Sequence, residues 1–347
     1  MSRVPLPQMP SRLPDLESER RLLEIRREAE ETGAVKAAGT VLTGAPFPKM
    51  TPATGYYGIP LLKQPQWKKE VPLYFFVGGA AGASAVVASV ADLLTTNERL
   101  VTNARWLAAT GGMLSAAFLT KDLGVPSRFL HMLRVFKLQS PMNVGAWTLT
   151  VFSTFSAAAA FANQIRQELD ATPIHVIENL SGMAAAATGL AMASYTGVLI
   201  GATAVPVWNR NIGTLPPHFA ASGMNSSVSL LELLGHTDSR ALNILGLASS
   251  AYECLEGAKL ESARTRVNEP LRRGASGLMV RIGGLLSGPL PLAFRLAYAL
   301  TGKRNLRRMA ASSSLAGSLL TRLGWIQAGR ASANDHRLPL ELPEQVA

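Results

Sequence analysis

The stretch VPLYFFVGGAAGASAVVASVADLL, residues 71–94, carries a single charged side chain, Asp92, close to its end. At about 1.5 Å per residue, a helix of this length crosses a hydrocarbon core of about 30 Å. Further apolar stretches lie near 100–120, 142–163, 180–207, 215–235, 239–257, 274–300 and 308–329. The expectation is an all-α polytopic membrane protein with about eight transmembrane helices. The segments at 215–235 and 239–257 are rich in Ser, Asn and Glu. If both failed to span, as one hairpin, six helices would remain and the rest of the topology would be unchanged. Composition agrees, since 16% of the 347 residues are charged, against about a quarter in soluble domains.

Three regions follow: a polar N-terminal arm and linker over 1–66, a transmembrane helical domain over 67–330, and a C-terminal tail over 331–347. Within the arm, Asp15 to Gly33 reads as a capped helix with a thin apolar stripe. Residues 1–40 lack the apolar run of a secretory signal, so none is expected. Let side A be the face bearing the arm. With eight spans it also bears the loops at 121–141, 205–214 and 258–273. Lys and Arg are denser there than on side B, despite the KRNLRR run at 303–308. By the positive-inside rule both termini are expected in the cytoplasm of a bacterial inner membrane.

The net charge of +11 raises nucleic acid as a partner, and the basic stretch KDLGVPSRFLHMLRVFKLQSP (121–141) is the obvious candidate. From Pro126, however, Phe129, Met132, Leu133 and Phe136 recur at helical spacing, with Arg128, His131, Arg134 and Lys137 between them. That is an amphipathic helix at a membrane rim, and the adjoining spans keep its basic face from projecting freely. No nucleic-acid partner is expected. Trp67, Trp106, Trp147 and Trp208 fall near helix ends, as an interfacial belt requires.

Charges inside lipid cost several kcal/mol unless paired or in use. On the side-A half are Glu70, Tyr74, Asp122, Glu253, Glu256, Arg281 and Arg322; on the side-B half, Asp92, Glu178 and Glu232. Asp92, Glu178, Glu232 and Glu253 form a possible proton path, or else structural pairs such as Glu253 with Arg281. Glu70 and Tyr74 share one helix face, a turn apart. A carboxylate and a phenol placed there suit a polar headgroup with an apolar tail, which a quinol has. Gly78 and Gly82 below them read as close helix packing, or as room for a flat ligand. The five His lie in loops, at helix ends or in the tail, and Cys254 is the sole cysteine. No haem, no iron–sulfur cluster and no other metal site is expected in this chain. Electrons from a quinol must then pass to a partner's cofactor.

PLYFFVGGAAGA (72–83), KDLGVPSRFLHMLRVFKLQSPMNVGAW (121–147), YTGVLIGATAVPVWNRNIGTLP (195–216) and SLLTRLGWIQAGRASA (318–333) together resemble the NrfD-like family. These are the membrane subunits of polysulfide reductase, nitrite reductase and related molybdoenzyme complexes. The resemblance implies two four-helix bundles free of haem, a bound quinone (menaquinone or ubiquinone), a four-cluster ferredoxin-like iron–sulfur partner and a molybdopterin catalytic subunit. It places the family's quinone-site positions on Glu70, Tyr74 and Tyr195. Asp122 and Arg128 match the family's acid and base after the second helix, where they anchor each other, line the pocket mouth or meet the partner. Some quinone-binding relatives carry an amide and a histidine at the positions of Glu70 and Tyr74. Two other readings stand beside this one: a proton- or solute-translocating protein without its own redox role, and a purely structural anchor.

Overall fold

The structure, a computed structural model, describes residues 62, 65, 67–94, 97–125, 127–169 and 171–335. The helix expected at 15–33 and the tail beyond 335 lie outside the described residues. Among those described there are only helices and connections. They are α1 (Glu70–Leu94), α2 (Glu98–Asp122), α3 (Ser127–Met132), α4 (Pro141–Glu168), α5 (Thr172–Gly201) and α6 (Pro206–Arg210). Then follow α7 (Leu215–Leu233), α8 (Arg240–Ser262), a 3-10 turn (Arg266–Leu271), α9 (Gly274–Ser287), α10 (Pro289–Thr301) and α11 (Arg304–Asn334). Counting α9 and α10 as one broken rod, eight long rods match the eight apolar stretches one for one.

Local chemistry sets the ends. Asn97 caps α2 by accepting the Leu100 amide at 3.1 Å. Ser140 caps α4 by accepting the Asn143 amide at 3.4 Å, with Pro141 as its first residue. Ser239 does the same for α8 at 3.3 Å. The break between α9 and α10 falls at Gly288, followed by Pro289 and Pro291. Proline offers no amide to continue the ladder and constrains the residue before it, so the rod must bend here.

The rods alternate in direction and form two bundles, α1, α2, α4 and α5 in the first and α7, α8, α9–α10 and α11 in the second. They join where α1 packs on α7 and α11, and α5 on α7. α1 is the axis of the first bundle, and glycines let it approach on two sides. A Cβ at Gly82 would lie 2.4 Å from the Gly189 carbonyl on α5, and one at Gly223 on α7 would lie 2.7 Å from the Gly79 carbonyl. The glycine ladder of α1 is therefore helix packing, with backbones closing where side chains would not fit.

Among the described residues, large apolar side chains face outward while many polar and charged ones are buried within the core. Leu93, Leu114, Phe161, Leu180, Leu190, Leu255, Leu285 and Leu300 are exposed, whereas Ser84, Ser222, Asn225, Ser226, Ser227, Glu232, Arg295 and Arg307 are buried. Lipid in place of water on the outer face accounts for this inversion. By composition alone, α1, α4, α5 and the α9–α10 rod are long and apolar enough to cross a membrane. α7 is the polar helix of the expected weak hairpin, and the reason for its polarity is its position. It lies between the bundles, with Ser227 bonded to Ser84 of α1 at 2.8 Å and Ser222 to Ser318 of α11 at 2.7 Å.

Three details differ from the sequence reading. The helix expected from Pro126 through Phe136 ends at Met132. Asn143 takes over the backbone there, donating to the carbonyls of Met132 and Val135 and accepting the Lys137 amide. Trp208 is a core residue, with no exposed surface, its indole N–H donated to the Trp325 carbonyl at 2.8 Å. Arg281 pairs with Glu261 in place of Glu253.

Candidate functional site

At the side-A end, the first turn of α1 meets the last turn of α2. Glu70 Oε1 stands 3.2 Å from Lys121 Nζ, and Asp122 Oδ1 accepts the Lys68 amide at 3.5 Å. Two carboxylates from different helices thus share one rim, each neighboured by a lysine. In the sequence Lys121 and Lys68 count only toward the basic bias of side A; at the rim they stand beside the two carboxylates. Arg128 is exposed on α3 and makes no ion pair with Asp122 among the described residues.

One turn below the rim Tyr74 is buried at 2% exposure. It adjoins Phe75, whose ring meets Phe219 of α7 and Trp67, while Trp67 stacks on Trp208 with centroids 5.2 Å apart. Tyr195 of α5 lies one turn beyond Met192, which meets the same Gly78 position as the Tyr74 ring. Its hydroxyl donates to the Pro141 carbonyl, and its ring occupies the space over Gly145, where a Cβ would come within 2.3 Å. Tyr195 therefore also fastens the start of α4 to α5.

Two buried polar groups nearby escaped the sequence reading. Ser115 Oγ lies 3.2 Å from where a Cβ on Gly78 would sit, beside Tyr74, and has no hydrogen-bond partner among the described residues. His218 lies at a helix end, as expected, and its burial is what the sequence does not signal. It sits in the first turn of α7, 5% exposed, with neither ring nitrogen partnered among the described residues.

The family scan decides what kind of chain this is: the model for polysulphide reductase, NrfD, matches residues 63–240. The chain belongs to the NrfD family. The match covers the whole first bundle and α7, including the rim. Members of this family are membrane subunits of molybdoenzyme complexes, and the NrfD chain described here is an integral membrane protein. Among individually curated proteins, none matches it.

The acids at the side-B end of this NrfD chain are held differently from those at the rim. Glu178 is ion-paired with Arg105, takes Arg166 Nε at 2.7 Å and accepts Asn163 Nδ2 at 2.9 Å. Arg105 also reaches Asp92 at 2.8 Å. Glu232 is clamped by Arg295 and Arg307, all three fully buried. The expected path through Asp92, Glu178 and Glu232 thus falls into two separate clusters, one per bundle. Glu253 belongs to neither. It accepts Ser287 Oγ at 2.9 Å through Oε2, and its Oε1 has no partner among the described residues.

Proposed function

We propose that this NrfD-family subunit binds a quinone or quinol at its side-A rim and exchanges electrons with the nearest iron–sulfur cluster of a partner subunit. The observation that carries the reading is the meeting of Glu70 and Asp122 directly above Tyr74. A quinol supplies two electrons and two protons when bound. The fit is argued from the donor set: carboxylates to take protons, a phenol to orient a ring oxygen, and the orphaned Ser115 hydroxyl beside it. Glu70 acts as proton acceptor and exchanges with water through its exposed side. Lys121 restrains its carboxylate, and Asp122 lies at the mouth. Tyr74 positions the headgroup, with Tyr195 behind it.

The finer assignments belong to the same reading. The eight rods are eight spans, side A with both termini faces the cytoplasm of a bacterial inner membrane, and the partners are a four-cluster ferredoxin-like subunit and a molybdopterin subunit. The exposed basic side chains Arg128, His131, Arg134 and Lys137 form the rim on which the iron–sulfur subunit sits. Translocation through Asp92, Glu178 and Glu232 is disfavoured because each is committed to an arginine. A purely structural anchor draws its support from the backbone bond of Tyr195.

The test is Glu70→Gln in the assembled complex. Quinone-linked turnover should fall on the order of a hundredfold, with subunit stoichiometry unchanged on size-exclusion chromatography. Normal turnover in that variant removes Glu70 from the chemistry.

A further inference from the structure

The centre of the second bundle carries a polar node independent of the rim. It lies around the break between α9 and α10, and all of its residues except Asn225 fall beyond those matched by the family. Gly288 leaves helical geometry there, with φ −103° and ψ −92°, and three helices close on it. A Cβ at Gly288 would meet Cys254 of α8 at 3.2 Å, and one at Gly317 of α11 would meet the Ser287 amide at 2.4 Å. From α7, Asn225 Nδ2 donates to the Ser287 carbonyl at 2.9 Å. From α8, Glu253 Oε2 accepts the Ser287 hydroxyl at 2.9 Å. Asn225 and Glu253 are thus both tied to Ser287.

Their second oxygens are what demand an explanation. Glu253 Oε1, Asn225 Oδ1 and the Ser250 hydroxyl, one turn before Glu253, all lack a hydrogen-bond partner among the described residues. Exposure is 2% for Glu253 and 0% for Asn225 and Ser250. A buried carboxylate left half-satisfied is among the costlier arrangements in a protein interior. The charged groups around Glu253 do not relieve it. Arg322 of α11 directs its two Nη groups to Ser222, Ser318 and the Phe219 carbonyl, and its Nε has no partner among the described residues. Arg281 of α9 pairs with Glu261, and Arg295 of α10 with Glu232. Glu256, one turn on in α8, takes Lys259, and Tyr252 and Cys254 bring no positive charge. α7 contributes only the neutral Asn225 to the node.

A broken helix flanked by a buried carboxylate and neutral oxygens is the arrangement with which membrane proteins hold small hard cations. We propose that the α9–α10 break is a monovalent-cation site, with Glu253 supplying the charge and Asn225 Oδ1 and Ser250 Oγ the neutral oxygens. The same oxygen set serves Na⁺ or a hydrated proton.

The experiment is thermal unfolding of the purified full-length chain in NaCl against N-methylglucamine chloride at equal ionic strength, at mildly acidic and at alkaline pH. Na⁺ should raise the midpoint of the wild type at alkaline pH, and the shift should vanish in Glu253→Gln. If Na⁺ has no effect but acidification stabilises the wild type more than Glu253→Gln, the site stands with a proton as occupant. Identical responses of the two proteins to both ions overturn the proposal. Should Glu253→Gln fail to fold, Ser250→Ala replaces it. Loss of one oxygen ligand should raise the half-saturating Na⁺ concentration about tenfold, or shift the midpoint of the acid response. An unaltered response overturns the proposal equally.

Discussion

Glu232 takes Arg295 in a two-pronged contact, Oε1 to Nη1 at 2.6 Å and Oε2 to Nη2 at 3.0 Å, with neither side chain reaching the surface. Arg307 joins the same carboxylate, Nε to Oε1 at 3.0 Å. Three charges from α7, α10 and α11 thus lock the side-B end of the second bundle. Each alone would be prohibitive in lipid, and together they specify which helix ends meet.

Glu232→Gln should therefore destabilise the chain by about 3–5 kcal/mol, because two guanidinium groups lose their counter-charge. The unfolding midpoint in detergent reads this directly. A variant of wild-type stability with altered proton flux would instead make Glu232 a carrier.

Lys121→Gln separates rim chemistry from rim stability. The lysine is 72% exposed, so its ion pair is worth at most about 1 kcal/mol. The melting midpoint should scarcely move, while quinone-linked turnover falls less than in Glu70→Gln. A large loss of stability would make the Glu70–Lys121 contact structural.

Gly82→Ala and Gly284→Ala form a matched pair within the membrane. The first places a methyl 2.4 Å from the Gly189 carbonyl, and the second meets nothing within 4 Å. Overpacking at Gly82 should cost about 1–3 kcal/mol and lower the yield of monodisperse protein, with Gly284→Ala at wild-type level. Equal yields would mean that α1 and α5 have room to separate.

His236, in the turn after α7, is bonded to Asn103 at 2.9 Å. Burial, and then the charge of Arg99, lower its pKa. As pH falls, the unfolded histidine binds its proton first, so the folded state loses stability through and below about pH 6.5 and keeps it above. His236→Gln should flatten this part of the curve of melting midpoint against pH. A slope as steep as the wild type's would assign the acid sensitivity elsewhere.

The spans can be counted by labelling. In a chain whose Cys254 is replaced by serine, cysteines at Arg99 and Arg134 lie on opposite faces if α2 crosses the membrane. They lie on the same face if only the four compositionally apolar rods do. An impermeant maleimide applied to spheroplasts should label position 99 and spare position 134 until the cells are opened. The reverse pattern would place side A outside.

Much of this architecture was legible along the chain. The apolar stretches forecast all eight rods, because helix existence in lipid depends on local composition and on caps such as Ser140 and Ser239. Glu70 and Tyr74 shared a face by spacing alone. Which groups would meet was a different matter. That Glu232 binds Arg295 and Arg307, that Arg281 turns to Glu261, and that Trp208 enters the core all depend on which rods pack together. α7 shows why. Its serines, Asn225 and Glu232 read as a weak span, since hydropathy averages over a helix and is blind to what surrounds it. Only the assembled bundles, by enclosing α7 away from lipid, turn those polar side chains into contacts.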